Sequence, residues 1–384
     1  MTPYNYSVNQ NERKRMNNYA VIMAGGVGQR FWPKGTSKMP KQFLKIAHEK
    51  ESMIQQTYNR LQGLIHPTRI YVVTNNNYKS LVKKQLPKIP EENIICEPFG
   101  RNTAPCIELA CLFIKQFNPK ASILVVPSDH IIDRVEEFHS IVKCGLKFVN
   151  DNGGIVTLGI TPTGPETGYG YIQYDNDNCF SVTAENGDGF GINECVYKVK
   201  TFAEKPDLGT ALAFIESGDF LWNSGMFIFR VDTMMEEIER LLPDVHYYLN
   251  QLNDKLYDKD FDKKLEFAYS QIKGISIDYG VMEKTENVHI IRSDFGWSDV
   301  GSWDEIYNLK PKDNSGNVKS GTTVMINSKN CLVVNDQRIS AVVGVEDLLI
   351  VDTDNGLLIC KRGESQNVKE VVDFLRRKGL EQYL

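Results

Sequence analysis

Short apolar runs separated by amphipathic stretches organise the first half of the 384-residue chain. Residues 19–23, 69–74, 93–96, 122–126 and 154–158 have the length and near-continuous apolarity of strands buried on both faces. Between them, residues 53–64, 78–86, 104–117 and 136–150 carry apolar positions at helical spacing. Strand and helix in alternation predict βαβ crossovers, hence a parallel sheet with helices on both faces. Ligands of such sheets bind beyond the carboxyl ends of the strands.

The pattern changes after about residue 160. Residues 167–172, 196–206 and 222–229 read as antiparallel or mixed strands, with the Gly-, Asn- and Asp-rich 185–193 as a hairpin loop. Residues 207–217, 231–242 and 244–267 read as helices. Past a turn-rich stretch at 310–322, short apolar runs at 324–326, 331–334, 339–343, 348–351 and 357–360 recur at close, regular spacing. Such rungs predict a small β-solenoid or folded β domain. A closing helix presents Val368, Val371, Val372 and Leu375 on one face. The expected organisation is a disordered extension over 1–18, an α/β domain over 19–309, and a small β domain with its terminal helix over 310–384.

Composition narrows the class without naming it. A chain that is 41% apolar and 24% charged is ordinary for a globular protein, and its length allows roughly two or three domains. A net charge of −5 gives no electrostatic case for nucleic acid or an anionic membrane, so any polyanion must meet a local basic site. No apolar run approaches the roughly 18 residues of a membrane span. The polar N-terminus has Arg13-Lys14-Arg15 but no apolar region behind it, which is not the pattern of a secretory signal, and Met16 is an alternative start. Eight cysteines without a C-x-x-C pair predict reduced core thiols in a cytoplasmic protein, and six scattered histidines argue against zinc.

Candidate chemistry centres on residues 19–42. An apolar strand stops at Gly25 and Gly26, with Gly28 two further on, and Arg30, Lys34, Lys38 and Lys41 follow. Glycines at the mouth of a strand let backbone N–H groups approach a phosphate, and the cations neutralise it. The dinucleotide fingerprint fails because Phe31 replaces its third glycine and Pro33 and Pro40 forbid the helix, and no G-K-[ST] completes a P-loop. The proline-broken shape predicts a mobile flap.

Two more polar clusters follow strands, and all three are expected to converge on one crevice. Glu97, Gly100, Asn102 and Thr103 read either as a turn with a helix cap or as donors and acceptors for a nucleobase edge. Asp129 follows a buried strand and is either a turn cap or a hard oxygen ligand for Mg²⁺. Farther on, Tyr169, Gly170, Glu204, Lys205 and Asn223 suit a polyhydroxylated ligand, and Asp299, between glycine turns, is a candidate second metal carboxylate.

The motifs A-G-G-V-G-Q-R-F-W-P, P-K-Q-F, E-P-F-G-R-N-T-A-P, V-P-S-D-H, F-A-E-K-P-D, W-N-S-G-M-F and F-G-W-S-D-V-G-S-W-D stand in the order found in the sugar-1-phosphate nucleotidyltransferases, which the chain resembles over 19 to about 370. The resemblance implies an α/β fold: a Rossmann-like mixed sheet flanked by helices, then a small left-handed β-helix-like domain, in a homodimer. It implies GTP and α-D-mannose 1-phosphate as substrates, with Mg²⁺, and neither nucleic acid nor membrane as partner. Alternatives are another nucleotide or sugar 1-phosphate, or a catalytically silent nucleotide-sugar sensor. By the same resemblance, Gly25, Gly26 and Gly28 cradle the triphosphate, Arg30 and Lys41 neutralise it, and Asp129 and Asp299 hold Mg²⁺. Glu97, Gly100, Asn102 and Thr103 contact the base, while Tyr169, Gly170, Glu204, Lys205, Asn223 and Asp278 line the sugar pocket. Gly35 and Lys38 depart from the family's usual serine and arginine, which weakens the phosphate role of Lys38. Bifunctional members carry a further isomerase domain, for which this length leaves no room.

Overall fold

A computed structural model describes residues 17–26, 28–185 and 191–384. The expected N-terminal extension, apart from its last two residues, and the tip of the 185–193 hairpin lie outside the described residues. By compactness the chain forms two units, neither continuous in sequence. The first takes residues up to 25, 58–127 and 132–297, and the second takes 26–57, 128–131 and 298–384. A helix over Met53–Leu61 spans one of the passages between them.

The first unit is built on a nine-stranded mixed sheet. Its strands are β1 (Asn18–Ala24), β2 (Ile70–Asn75), β3 (Ile94–Glu97), β4 (Ser122–Pro127), β5 (Ile155–Ile160), β6 (Gly170–Glu185), β7 (Gly191–Glu204), β8 (Phe220–Arg230) and β9 (Val288–Ser293). They lie in the order β3-β2-β1-β4-β8-β5-β9-β7-β6, and β6 also pairs with β8. β3, β2, β1 and β4 run parallel, as the apolar runs predict, and β8 enters antiparallel between β4 and β5. Helices α1 (Lys79–Gln85), α2 (Thr103–Lys115), α3 (Val135–Asn152), α4 (Leu208–Ser217), α5 (Val231–Leu241), α6 (Pro243–Asn250) and α7 (Phe261–Gln271) complete the unit. Val21, Ile123 and Val125 of the strands share a core with Ile107 and Leu112 of α2 and with Met234 and Ile238 of α5. The single helix expected over 244–267 is two, α6 and α7, because the Asn- and Asp-rich residues between them form turns.

One expectation about the cysteines is overturned. Cys179 and Cys195 form a disulfide across β6 and β7, where pairing of Ser181 with Cys195 makes Cys179 a diagonal neighbour with its Cα 5.6 Å away. A pair 16 residues apart around a hairpin has no signature in C-x-x-C spacing. The argument for a reducing compartment loses these two residues, and the other six cysteines are free thiols.

In the second unit, β10 (Val318–Ser320), β12 (Leu332–Asn335) and β14 (Leu348–Thr353) stack in parallel, as do β11 (Thr323–Ile326) and β13 (Ser340–Val343), while β15 (Gly356–Lys361) closes antiparallel on β14. This is a short β-helix-like coil, preceded by α8 (Trp303–Leu309) and followed by α9 (Val368–Arg377). Of the apolar face expected on α9, Val368 and Val372 are buried, but Val371 is left exposed.

The coil's core also contains Phe31, Trp32, Leu44 and Met53 from the glycine-loop segment, together with Val300 and Trp303. The Trp32 indole donates to the Tyr383 carbonyl at 2.8 Å, Ser37 donates to that of Leu384 at 2.9 Å, and the Trp303 indole donates to the Trp32 carbonyl at 3.3 Å. Residues 31–42 of the stretch expected to be a mobile flap are therefore a packed part of the second unit, exposed at 37–39, while Gly25, Gly26 and Arg30 ahead of them are exposed and residue 27 lies outside the described residues. Its prolines break a helix, but its aromatic residues fix it by burial.

Candidate active site

The chain enters the second unit at Gly26, whose carbonyl accepts from the Gln42 side chain at 2.9 Å. Gly28 has φ of 56°, in the left-handed region, and starts a tight turn over Gln29–Phe31. A Cβ on Gly28 would lie 2.4 Å from Lys41 Cβ and 3.0 Å from its backbone nitrogen. Gly28 is thus required for closure on Lys41, whereas a Cβ on Gly26 would meet nothing within 4 Å.

Lys41, 6% exposed, donates its ammonium to Asp129 Oδ2 at 2.8 Å and to the Asp299 carbonyl at 2.6 Å. Burial opposes the charge of Asp129, but Lys41 and His130 outweigh it and hold the carboxyl below the usual range. The corner at Asp299 is set by Val300, whose φ of 48° is strained for a β-branched residue and whose N–H donates to Ser298 Oγ at 3.1 Å. Glu305 of α8 accepts from the Gly301 N–H at 2.6 Å, and burial together with the Asp299 carboxylate pushes it up to about 7. Gly28, Arg30, Lys41, Asp129, Asp299 and Lys369 all line one cavity of about 350 Å³.

Among the described residues, no group of three or more His, Cys, Asp or Glu is arranged to hold a metal ion. Asp129 and Asp299 offer two hard oxygen donors on a cavity that also presents Arg30. That donor set fits Mg²⁺, which takes one or two carboxylates and fills its shell with phosphate oxygens and water.

The first unit holds the other candidates. Glu97 ends β3, is 5% exposed, and accepts from the Tyr269 hydroxyl at 3.1 Å; burial pushes it up to about 7. A Cβ on Gly25 would lie 3.4 Å from Glu97 Oε2, so these two are neighbours. Asn102, at φ 68°, caps α2 by accepting from the Thr103 N–H at 2.9 Å, and Thr103 Oγ1 accepts from the Ile277 N–H at 2.8 Å. Arg101 donates to the Tyr269 carbonyl at 2.9 Å, and its own carbonyl accepts from Ile275. The R-N-T segment thus holds the 275–277 stretch of chain that leads into Asp278, while a Cβ on Gly100 would meet open space.

Glu204, Lys205, Asn223 and Asp278 form a separate acid-rich cluster in this unit. The Lys205 ammonium pairs with Glu204 Oε1, while Glu204 Oε2 is buried with no hydrogen-bond partner among the described residues. A Cβ on Gly170 would come 2.3 Å from that orphaned oxygen. Asn223 Nδ2 donates to Asp278 Oδ1 at 2.8 Å, and burial plus the Glu204 charge push Asp278 up to about 6. The Tyr169 ring meets Trp222 and Trp297 edge-on, with centroids 5.0 and 5.2 Å away.

The structure therefore groups Gly28, Arg30, Lys41, Asp129 and Asp299 in one unit, with Gly26 beside them. In the other it groups Gly170, Glu204, Lys205, Asn223 and Asp278, and it places Gly25 against Glu97. Sequence reasoning passed over Arg101, Tyr269, Glu305 and Lys369. Glu305 had a signal, since Ser302 to Glu305 spells the S-x-x-E capping box, although it binds the Gly301 N–H. Among the described residues, no helix is long and apolar enough to cross a membrane.

Residues 19–316 match the family described as Nucleotidyl transferase, and residues 321–375 match the MannoseP isomerase/GMP-like beta-helix domain. The chain belongs to the nucleotidyl transferase family. The mannose-1-phosphate guanylyltransferase of Klebsiella pneumoniae is 39% identical to it over 370 residues, 94% of this chain and 75% of that protein. That of Escherichia coli (strain K12) is 36% identical over 366 residues, 94% and 74% of the two chains. The crystal structure of a mannose-1-phosphate geranyltransferase from Thermus thermophilus superimposes with a TM-score of 0.81 at 31% identity, covering 94% of this chain and 100% of that one. The two family matches change over between 316 and 321, within the turn-rich 310–322.

Proposed function

We propose that this chain transfers GMP from GTP to α-D-mannose 1-phosphate, giving GDP-mannose and pyrophosphate. The observation that carries the reading is the cavity on which Arg30, Lys41, Asp129 and Asp299 open, in a chain of this family whose relatives are mannose-1-phosphate guanylyltransferases. The nucleophile is a sugar phosphate whose second pKa is about 6, so it is dianionic at neutral pH and needs no general base. The work is to hold two polyanions in line and to neutralise the charge that builds at the α-phosphorus. Arg30 meets the polyphosphate, while Lys41 keeps Asp129 ionised and ties it to the Asp299 backbone. Asp129 and Asp299 would hold Mg²⁺, which when bound neutralises phosphate charge. On the sugar side, the unpartnered Glu204 oxygen accepts a hydroxyl, and Asn223 with Asp278 supplies a fixed donor and acceptor pair.

The test is a matrix of nucleoside triphosphates against sugar 1-phosphates with Mg²⁺, scored by pyrophosphate release. GTP with mannose 1-phosphate is expected to give the highest kcat/KM. Activity only with a different pair overturns the substrate assignment, and silence across the matrix overturns the reaction.

A further inference from the structure

The cavity that holds Arg30 and Lys41 is also lined by Lys369, the second residue of α9, in the C-terminal segment beyond the nucleotidyl transferase match. Burial of Val368 and Val372 seats one face of α9 in the second unit's core, while Lys369 remains exposed. The helix is tied at both ends. Ahead of it, the Gly363 N–H donates to the Asp304 carboxylate at 2.8 Å and the Ser365 N–H at 3.3 Å. Toward its end, the Arg376 guanidinium faces the Gln29 side-chain amide, which, turned so that its oxygen points toward Arg376, accepts from the two terminal nitrogens at 2.7 and 3.0 Å. Lys369 is therefore presented by a fixed helix that also grips the turn carrying Arg30.

Charge decides what it does there. The Lys41 ammonium pairs with the Asp129 carboxylate and donates to the Asp299 backbone carbonyl, so its charge is balanced by that of Asp129. Among the described residues, neither Arg30 nor Lys369 makes an ion pair. Two carboxylates, Asp129 and Asp299, line the cavity against Arg30, Lys41 and Lys369, and without Lys369 the cationic excess is gone. We propose that Lys369 binds the β- and γ-phosphates of the nucleotide, and hence the departing pyrophosphate, so that the C-terminal helix is part of the phosphate site. This rests on the nucleotidyl-transfer reading for its place in the reaction, but not for the binding itself.

The experiment titrates pyrophosphate, with Mg²⁺, into the full-length wild type, Lys369→Met and Lys369→Arg by calorimetry, and measures KM for both substrates. Lys369→Met is expected to weaken pyrophosphate binding and raise KM for the triphosphate about tenfold, the effect of one charge-assisted phosphate contact. KM for the sugar 1-phosphate should stay put, and Lys369→Arg should recover most of the loss. A purely structural role would not divide the two substrates in this way. Should the Met variant lose its thermal unfolding transition, Lys369→Gln, which keeps a polar tip, replaces it. Equal pyrophosphate affinity in wild type and variant, or no binding by wild type, overturns the proposal. A wild type that binds pyrophosphate but turns over no substrate pair overturns the reaction instead.

Discussion

The two acid clusters of this chain are built on opposite principles. In the second unit, Asp129 is held ionised by a buried lysine at 2.8 Å. In the first, Asp278 and Glu204 crowd each other, Lys205 is more than half exposed, and one Glu204 oxygen has no partner. An acid held ionised by a lysine keeps a charged oxygen for a hard cation, although beside it Asp299 crowds Glu305. A frustrated pair gains most from neutral hydroxyl donors, which relieve desolvation without adding charge. The proposed function uses the Asp129 cluster for phosphate and the Asp278 cluster for sugar, and substitutions can break that division on either side.

The largest effect is expected at the Asp129 cluster. Asp129→Asn and Asp299→Asn should each lower kcat about 100-fold or more, the scale of losing electrostatic stabilisation at the reacting phosphorus, with the far-UV circular dichroism unchanged. Calorimetric Mg²⁺ binding in the presence of a non-hydrolysable triphosphate should weaken in both. Full turnover in both variants would remove the metal role from these residues.

A smaller effect separates two glycines that look alike in sequence. Alanine at Gly28 would force a left-handed φ of 56° and press on Lys41 Cβ and backbone, neither of which can move without unpacking the turn. Gly28→Ala should cost about 2 kcal/mol in stability and lower turnover about tenfold through the displaced lysine. Alanine at Gly170 meets chiefly the far end of the Glu204 side chain, which can swing aside. Gly170→Ala should leave the unfolding midpoint close to wild type but raise KM for the sugar 1-phosphate alone. A matching change in KM for the triphosphate would show that the Glu204 cluster is not confined to the sugar.

How much of this was legible depended on whether the signal was local. β1, β2 and β4 were readable because parallel strands covered on both faces are continuous apolar runs. Asp129 and Lys41 were readable as residue types, but their pairing across 88 positions was not. Gly28 was read as a bare approach to phosphate, and only geometry shows it making room for Lys41. Asn102 and Thr103 carried two readings, and the described contacts engage both side chains with backbone N–H groups. The Cys179–Cys195 bond and the reach of Lys369 into the cavity depend on hairpin register and on helix placement, neither of which has a period in the sequence.

The smallest effect tests frustration directly, through pH. Asp278 titrates near 3.8 in the unfolded chain and at about 6 in the folded one, raised by burial and then by Glu204, with Asn223 and Lys205 acting in the other direction. Below about pH 3 the acid is largely protonated in both states and carries no penalty. Between about 4 and 6 the unfolded chain ionises first and binds fewer protons than the folded one, so this group makes stability fall as pH rises. Above the folded pKa the penalty is full and constant. Asp278→Asn keeps an oxygen for the Asn223 amide and removes the titration, so it should raise stability at pH 7.5 by on the order of 1 kcal/mol, allowing for solvent screening. The gain should shrink toward zero as pH is lowered to about 3. Thermal unfolding of wild type and variant across that range, read as a difference so that other acids cancel, gives the answer: a gap independent of pH would mean that the acid is not strained in the folded chain, and the distinction between the two clusters would fail on the sugar side.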